Sequence, residues 1–339
     1  MRIAQKTVTR NYINNIHKTQ TKQAESMERG TTGLKFSKLS QNVADGVRAM
    51  RTQEARVRSE ANLNTVESLI LEFNAVDSNL GSIDDILKLA QEKTLKAMND
   101  PNGKTGREVI AQEILSMRDQ VLQFINGKYG DRYLFGGTNN AGPAFDVGTG
   151  GKLTFNGIQV DQIYKRDGVF YYDNAGTETV VPESGDVYMD IGLGMLMNGD
   201  NVDKRTAFNS SISGLDVMGF GEADADGIAS NLYDLLTDLA AGIEAEDHDV
   251  MDANYTKLVK LSDSSRMART EAGVRANFLE RTKDRLDMEI DNLGEMESNL
   301  LTVDLAEEAI TQKTLEYTWL ATLQLGSNIL PTSLLDFLR

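Results

Sequence analysis

Cysteine is absent from this chain of 339 residues, which excludes disulfides, thiolate metal sites and cysteine nucleophiles. Proline occurs four times and tryptophan once; so little proline suits long, uninterrupted helices. Positive charge is also scarce, with 35 Lys and Arg against 51 Asp and Glu and a formal net charge of −16. Phosphates are repelled by such a balance, so neither nucleic acid nor an anionic membrane surface is an expected partner. The opening, "MRIAQKTVTRNYINN", holds no apolar run of signal-peptide length, and no cleavable secretory signal is expected there. The uncharged stretch from Tyr317 to Leu335 is interrupted by Thr318, Thr322, Gln324, Gly326, Ser327, Asn328, Pro331, Thr332 and Ser333. It is apolar enough to bury in protein and too polar for lipid, so no membrane insertion is expected.

What is present is periodicity. Val66, Phe73, Leu80 and Leu87 recur every seven residues, and Leu69, Val76, Ile83, Ala90 and Ala97 follow three positions behind. Alternating steps of three and four define a coiled-coil seam. Upstream the same frame reaches Ala55, Ser59 and Asn62, so the seam becomes smaller and more polar. "NDPNGKTG" reads as a turn, and a second helix follows with Ile110, Ile114, Met117, Val121 and Phe124 on one face. Two helices so joined make an antiparallel hairpin.

After Gly127 glycine becomes frequent. "IQVDQIYKRDGVFYY" predicts two strands around Asp167-Gly168, a two-residue hairpin signal. "TFNG" and "DVYMDIGLGML" read as further strands. Helix returns at about Asp226, where Ile228, Leu232, Leu235 and Leu239 form a stripe. From about Val250 the helical pattern is read as continuing to the chain end. Leu279, Leu286, Leu293 and Leu300 form one row; Arg275, Thr282, Glu289, Met296, Val303, Ile310 and Tyr317 form its companion. The polar members of that row are read as fixing register. The expected fold is mainly α: a long antiparallel coiled-coil rod from both termini, with a small β-rich or irregular central domain. The segments are an axial stretch with a turn over 1–50, a helical hairpin over 51–130 and the β-rich domain over 131–225. Returning helices over 226–300 and a C-terminal axial helix over 301–339 complete it.

Chemistry is harder to find. His17 and His248 read as solvated histidines, without further ligands at metal-site spacing. "GEADADGIAS" imitates the start of a calcium loop through Glu222, Asp224, Asp226 and Gly227, but its twelfth position is Tyr233. A turn with a helix N-cap at Asp226 is the better reading. No phosphate loop, triad or paired carboxylate stands out, so neither a cofactor nor an enzyme is expected.

The final helix poses the main question. Val303, Ile310, Tyr317 and Ala321 lie on one face, and Leu305, Trp319 and Leu323 nearly opposite. A helix apolar all round must be buried on several sides; either it is central to a folded core or other copies of the chain surround it. Beyond it come Leu330, Leu334, Leu335, Phe337 and Leu338. At roughly 1.5–3 kcal/mol each, their full burial contributes about 7–15 kcal/mol as an upper bound, comparable with association costs of about 4–15 kcal/mol.

Three stretches carry a resemblance: "TTGLKFSKLSQNVADGVRAM" (31–50), "NGKYGDRYLFGGTNNAGPAFD" (126–146) and "NLLTVDLAEEAITQKTLEYTWLATLQLGSNILPTSLLDFLR" (299–339). Together they resemble the bacterial flagellin superfamily. The run "YLFGGT" (133–138), followed by Pro143 and Phe145, is similar to the branch that joins hook to filament. In the first stretch Thr32-Gly33 and Ala44-Asp45 stand where the family usually shows Ser-Gly and two small or acidic residues. The resemblance implies a structural subunit of the extracellular flagellum, exported unfolded through the type III apparatus and packed with both termini in an inner layer. It implies as partners copies of itself, the first hook–filament junction protein, flagellin and an export chaperone. The candidate assembly residues are Ile3, Val8, Tyr12 and Ile16, then Val303, Leu305, Ile310, Tyr317, Trp319, Leu323 and the five apolar residues from Leu330 onward. Two other readings stay open: a flagellin-type filament subunit, and a cytoplasmic coiled-coil protein dimerising through the 66–97 seam.

Overall fold

The computed structural model describes residues 2–99, 103–139, 141–199 and 201–329, with the backbone alone at 2–5 and 327–329. It is 65% helical, with long helices packed against each other and a small strand-rich region between them in sequence. The helices are α1 (Arg2–Thr32), α2 (Val43–Asn99), α3 (Lys104–Ile125), α4 (Gly214–Met218), α5 (Leu232–Ala245), α6 (His248–Leu301) and α7 (Leu305–Ile329). Two compact units divide the chain: a central unit, residues 61–286, and a terminal unit of residues up to Glu60 and from Asp287 onward.

In the central unit the heptad frame of α2 is the heart of one apolar cluster. Val66, Leu69, Phe73, Val76, Leu80, Ile83, Leu87, Ala90 and Ala97 are all buried within the chain itself. Ile110, Ile114, Met117 and Val121 of α3 join them, as do Leu232, Leu235 and Leu239 of α5 and Leu279 and Leu286 of α6. Polar pairs hold α6 along α2: Arg266 donates to Asp84 at 2.9 Å, Arg269 to Asp77 at 2.8 Å and Lys283 to Glu67 at 2.6 Å. Burial alone would raise the Asp84 carboxyl; hydrogen bonds from Lys88 and Arg266 outweigh it and hold it below its ordinary value. The polar row of α6 is also engaged: Arg275 donates to the Ser211 carbonyl at 2.6 Å, and buried Thr282 to the Phe278 carbonyl at 2.9 Å.

The strands are short. They are β1 (Lys128–Tyr129), β2 (Arg132–Tyr133), β3 (Phe145–Val147), β4 (Leu153–Phe155), β5 (Ile158–Gln159), β6 (Ile163–Arg166), β7 (Val169–Asn174), β8 (Thr177–Val180), β9 (Tyr188–Met189), β10 (Met197–Asn198), β11 (Asn201–Val202) and β12 (Phe208–Asn209). They form two three-stranded and three two-stranded antiparallel sheets, β3-β4-β5 and β6-β7-β8 being the larger. The expected hairpin is β6–β7, with Arg166 opposite Val169. Asp167 and Gly168 bridge it at φ of 52° and 81°, the positive pair that matches strand twist in a two-residue turn. In "DVYMDIGLGML" pairing is confined to β9 against β12, and the rest is irregular. Phe135 of the Phe-Gly-Gly-Thr run is buried in the same core, and the Thr138 amide donates to the Glu183 carbonyl at 2.9 Å.

Two expectations need correction. Helix does not return at Asp226. Residues 224–228 close a turn, with the Gly227 amide on the Asp224 carbonyl at 2.7 Å. The cap of α5 is Asn231, whose side chain accepts from the Asp234 amide at 2.9 Å. Nor does the helix starting near Val250 run unbroken to the end. It stops at Leu301, and α7 restarts at Leu305 under an Asp304 cap that accepts from the Ala306 and Glu307 amides at 2.8 and 3.3 Å. The break is held by the turn after α1: the Lys35 amide donates to the Leu301 carbonyl at 2.7 Å and the Val303 amide to the Gly33 carbonyl at 2.9 Å. Competing hydrogen bonds of this kind end a helix that apolar spacing alone would extend.

Candidate assembly surface

The terminal unit contains α1, α7 and the adjoining ends of α2 and α6. Helices α1 and α7 pack side by side, and hydrogen bonds join them at both ends of the contact. Glu308, buried in the first turn of α7, accepts from Ser26 at 2.6 Å and from Arg29 at 3.0 and 3.1 Å. The Arg29 hydrogen bonds, opposed by burial and helped by Ser26, hold the Glu308 carboxyl below the ordinary glutamate value. Further along, the Tyr12 hydroxyl donates to the Thr322 carbonyl at 2.9 Å. A Cβ added at Gly326 would sit 1.7 Å from that hydroxyl, so glycine is what lets the ring lie against α7. At the adjoining helix ends, Arg56 pairs with Glu297 at 2.9 Å and Ser59 donates to Glu289 at 3.2 Å.

Among the described residues of this unit there is no apolar core. Among its described residues Ala49 is the one hydrophobic residue that is fully buried, whereas Ser26, Thr52, Ser59 and Glu308 are buried polar ones. Large apolar side chains instead face outward. Val8 of α1 is exposed, as are Leu305, Ile310, Tyr317 and Leu323 of α7, with Ile310 70% and Tyr317 69% accessible. Ile13, Met27, Leu320 and Leu325 are exposed as well, although their sequence spacing does not single them out. Tyr12, Ile16, Val303 and Trp319 are half-buried, and so are Leu293 and Leu300 of α6. The side chain of Ile3 and all of Leu330, Leu334, Leu335, Phe337 and Leu338 lie outside the described residues.

The Ser26–Arg29–Glu308 contact was not found from sequence. Its only trace there is the acidic pair Glu307-Glu308 in a helix first turn, a position that favours carboxylates for reasons of dipole alone. Elsewhere His17 and His248 are exposed, and the Asp224 carboxylate pairs with Lys257 at 2.7 Å. Among the described residues, no group of three or more His, Asp or Glu is placed to hold a metal ion. No helix among them is long and apolar enough to cross a membrane.

One well-packed unit, and a second in which helices from both terminal regions pair with outward apolar faces, define a class of fold that is mainly helical. Among solved structures it is the fold of flagellar hook-associated proteins. A protein of Vibrio parahaemolyticus assigned as flagellar hook-associated superposes with a TM-score of 0.58 at 15% identity, covering 77% of this chain and 100% of that one. Flagellar hook associated protein-3 of Legionella pneumophila superposes at 0.50 with 11% identity, over 74% of this chain and 98% of that one. At such identities the likeness is one of fold. No protein-family model and no curated protein matches the chain in sequence.

Proposed function

We propose that the chain is a structural subunit of the bacterial flagellum, stationed where hook meets filament, whose copies pack through their terminal helices. The observation that carries this reading is the outward apolar side chains of the terminal unit, where the described residues bury almost none. Exposed apolar surface as extensive as that of Ile310, Tyr317, Leu320 and Leu325 on one helix marks an interaction site. In the assembled particle, neighbouring copies cover it. The first junction protein on one side and flagellin on the other are the further partners; an export chaperone shields the same helices beforehand.

A cytoplasmic coiled-coil dimer fits less well. Its seam, from Val66 to Ala97, is consumed inside the chain and leaves nothing for a second copy to bury. A filament-forming subunit would give long homopolymers from purified protein; a junction subunit alone stops at short oligomers and needs neighbours of another kind to go further. The deciding experiment is a cell deleted for this chain. Intact hooks with flagellin shed into the medium support the junction role. Filaments of normal length on such a cell reject it.

A further inference from the structure

Charge is unevenly distributed along the terminal unit. Residues 2–24 carry Arg2, Lys6, Arg10, Lys18 and Lys22 with no Asp or Glu, in a chain whose net charge is −16. The described side chains of this set, Lys6, Arg10, Lys18 and Lys22, are all exposed and follow rows of four residues along α1. None of the four has an ion-pair partner among the described residues. The reverse holds over residues 287–312, where eight carboxylates, from Asp287 to Glu308, stand without one Lys or Arg. Four of those eight are engaged: Glu297 by Arg56, Glu308 by Arg29, Glu289 by Ser59 and Asp304 by the Ala306 and Glu307 amides. Asp291 and Glu295 of α6 are exposed, four residues apart, and have no partner among the described residues.

We propose that the basic face of α1 docks on the Asp291–Glu295 face of α6 in a second copy of this chain; this rests on the assembly reading above. Charge complementarity names the occupant. A partner for the basic face must be acidic, and the matching spacing of Lys18–Lys22 and Asp291–Glu295 lets two ion pairs form along one line of contact. The contacting surfaces are different on the two copies, so the contact is heterologous. Repeated, it generates a ring or an open stack rather than a closed pair. Outward Val8 and Ile13 beside the lysines supply apolar area to the contact. The charges set direction and encounter rate more than final affinity.

The test uses the full chain and charge reversal. Sedimentation velocity at rising NaCl should show self-association that weakens with salt, since exposed pairs are screened beyond a Debye length of about 10 Å at 0.1 M. Lys18→Glu with Lys22→Glu should weaken association about tenfold, and so should Asp291→Lys with Glu295→Lys. The chain carrying all four reversals should regain most of the loss. All four substituted side chains are on the surface, so unchanged circular dichroism checks the fold. Association indifferent to salt, none detectable, or a fourfold variant no better than either pair overturns the inference. In cells the two readings separate. Hooks that still acquire filaments with the Lys18→Glu, Lys22→Glu chain reject this contact while leaving the junction role standing; if deletion of the chain has no effect, the junction role itself fails.

Discussion

At the scale of single residues, Glu308 is the most consequential side chain of the terminal unit. It is buried, ionised and held by two donors from α1. Hydrogen bonds to a charged group contribute roughly 1.5–3 kcal/mol, so Glu308→Ala should loosen α1 from α7 by about that amount while the central unit melts unchanged. Amide exchange over residues 305–320 reads the difference. The contact also sets a pH dependence. Because the folded carboxyl titrates below its ordinary value, its stabilisation is complete above the unfolded glutamate pKa of about 4.3. It is lost as pH falls through the lowered folded value. Protection of α7 should therefore fall on acidification, and Glu308→Gln should remove that pH dependence. Gly326 is a second critical point. Gly326→Ala places a methyl where the Tyr12 hydroxyl sits, so it should expel the ring and reproduce the near-ultraviolet dichroism of Tyr12→Phe. A spectrum unchanged from the parent chain would show that α7 approaches α1 less closely.

At the scale of elements, periodicity was informative where one helix face meets one apolar environment. The seam of α2 could be read residue by residue because every third or fourth side chain enters the same core. Leu80→Ala should cost about 2–5 kcal/mol, visible in a denaturant melt of the central unit, and should leave the sedimentation coefficient of the dilute chain unchanged. A seam that held two chains together would instead dissociate. Turn chemistry was equally legible at Asp167-Gly168, where only positive φ at both residues closes the hairpin. The break before α7 was not legible, because its cause lies outside the helix, in the backbone of Gly33 and Lys35. Asp304 held a local clue, as an N-cap residue, but apolar spacing on both sides pointed to continuation. Asp304→Ala should destabilise the first turn of α7 by about 1 kcal/mol, measured as faster exchange at the amides of Ala306 and Glu307. The start of α5 was misplaced for a related reason: Asp226 and Asn231 are both capping types, and only the turn at 224–228 decides between them.

At the scale of the whole molecule, the two units differ in what stabilises them. The central unit buries a continuous apolar cluster from Val66 to Leu286. In the terminal unit, hydrogen bonds and ion pairs hold α1 to α7 while the apolar faces stay wet. Composition could not distinguish these conditions: Leu279 and Leu305 look alike in sequence, yet the first is fully buried and the second 60% exposed. A polar contact between exposed helices repays little of the conformational entropy that ordering them costs, so α7 should open with a free energy well below that of global unfolding. Amide exchange of the dilute chain should then show residues 305–326 exchanging orders of magnitude faster than residues 66–97. On the proposed assembly, the same amides should slow strongly in isolated hook–filament particles, because neighbouring copies would remove Ile310, Tyr317 and Leu320 from water. If residues 305–326 were equally protected in the free and incorporated states, the terminal unit would be stable without neighbours, and its outward apolar faces would need another explanation than assembly.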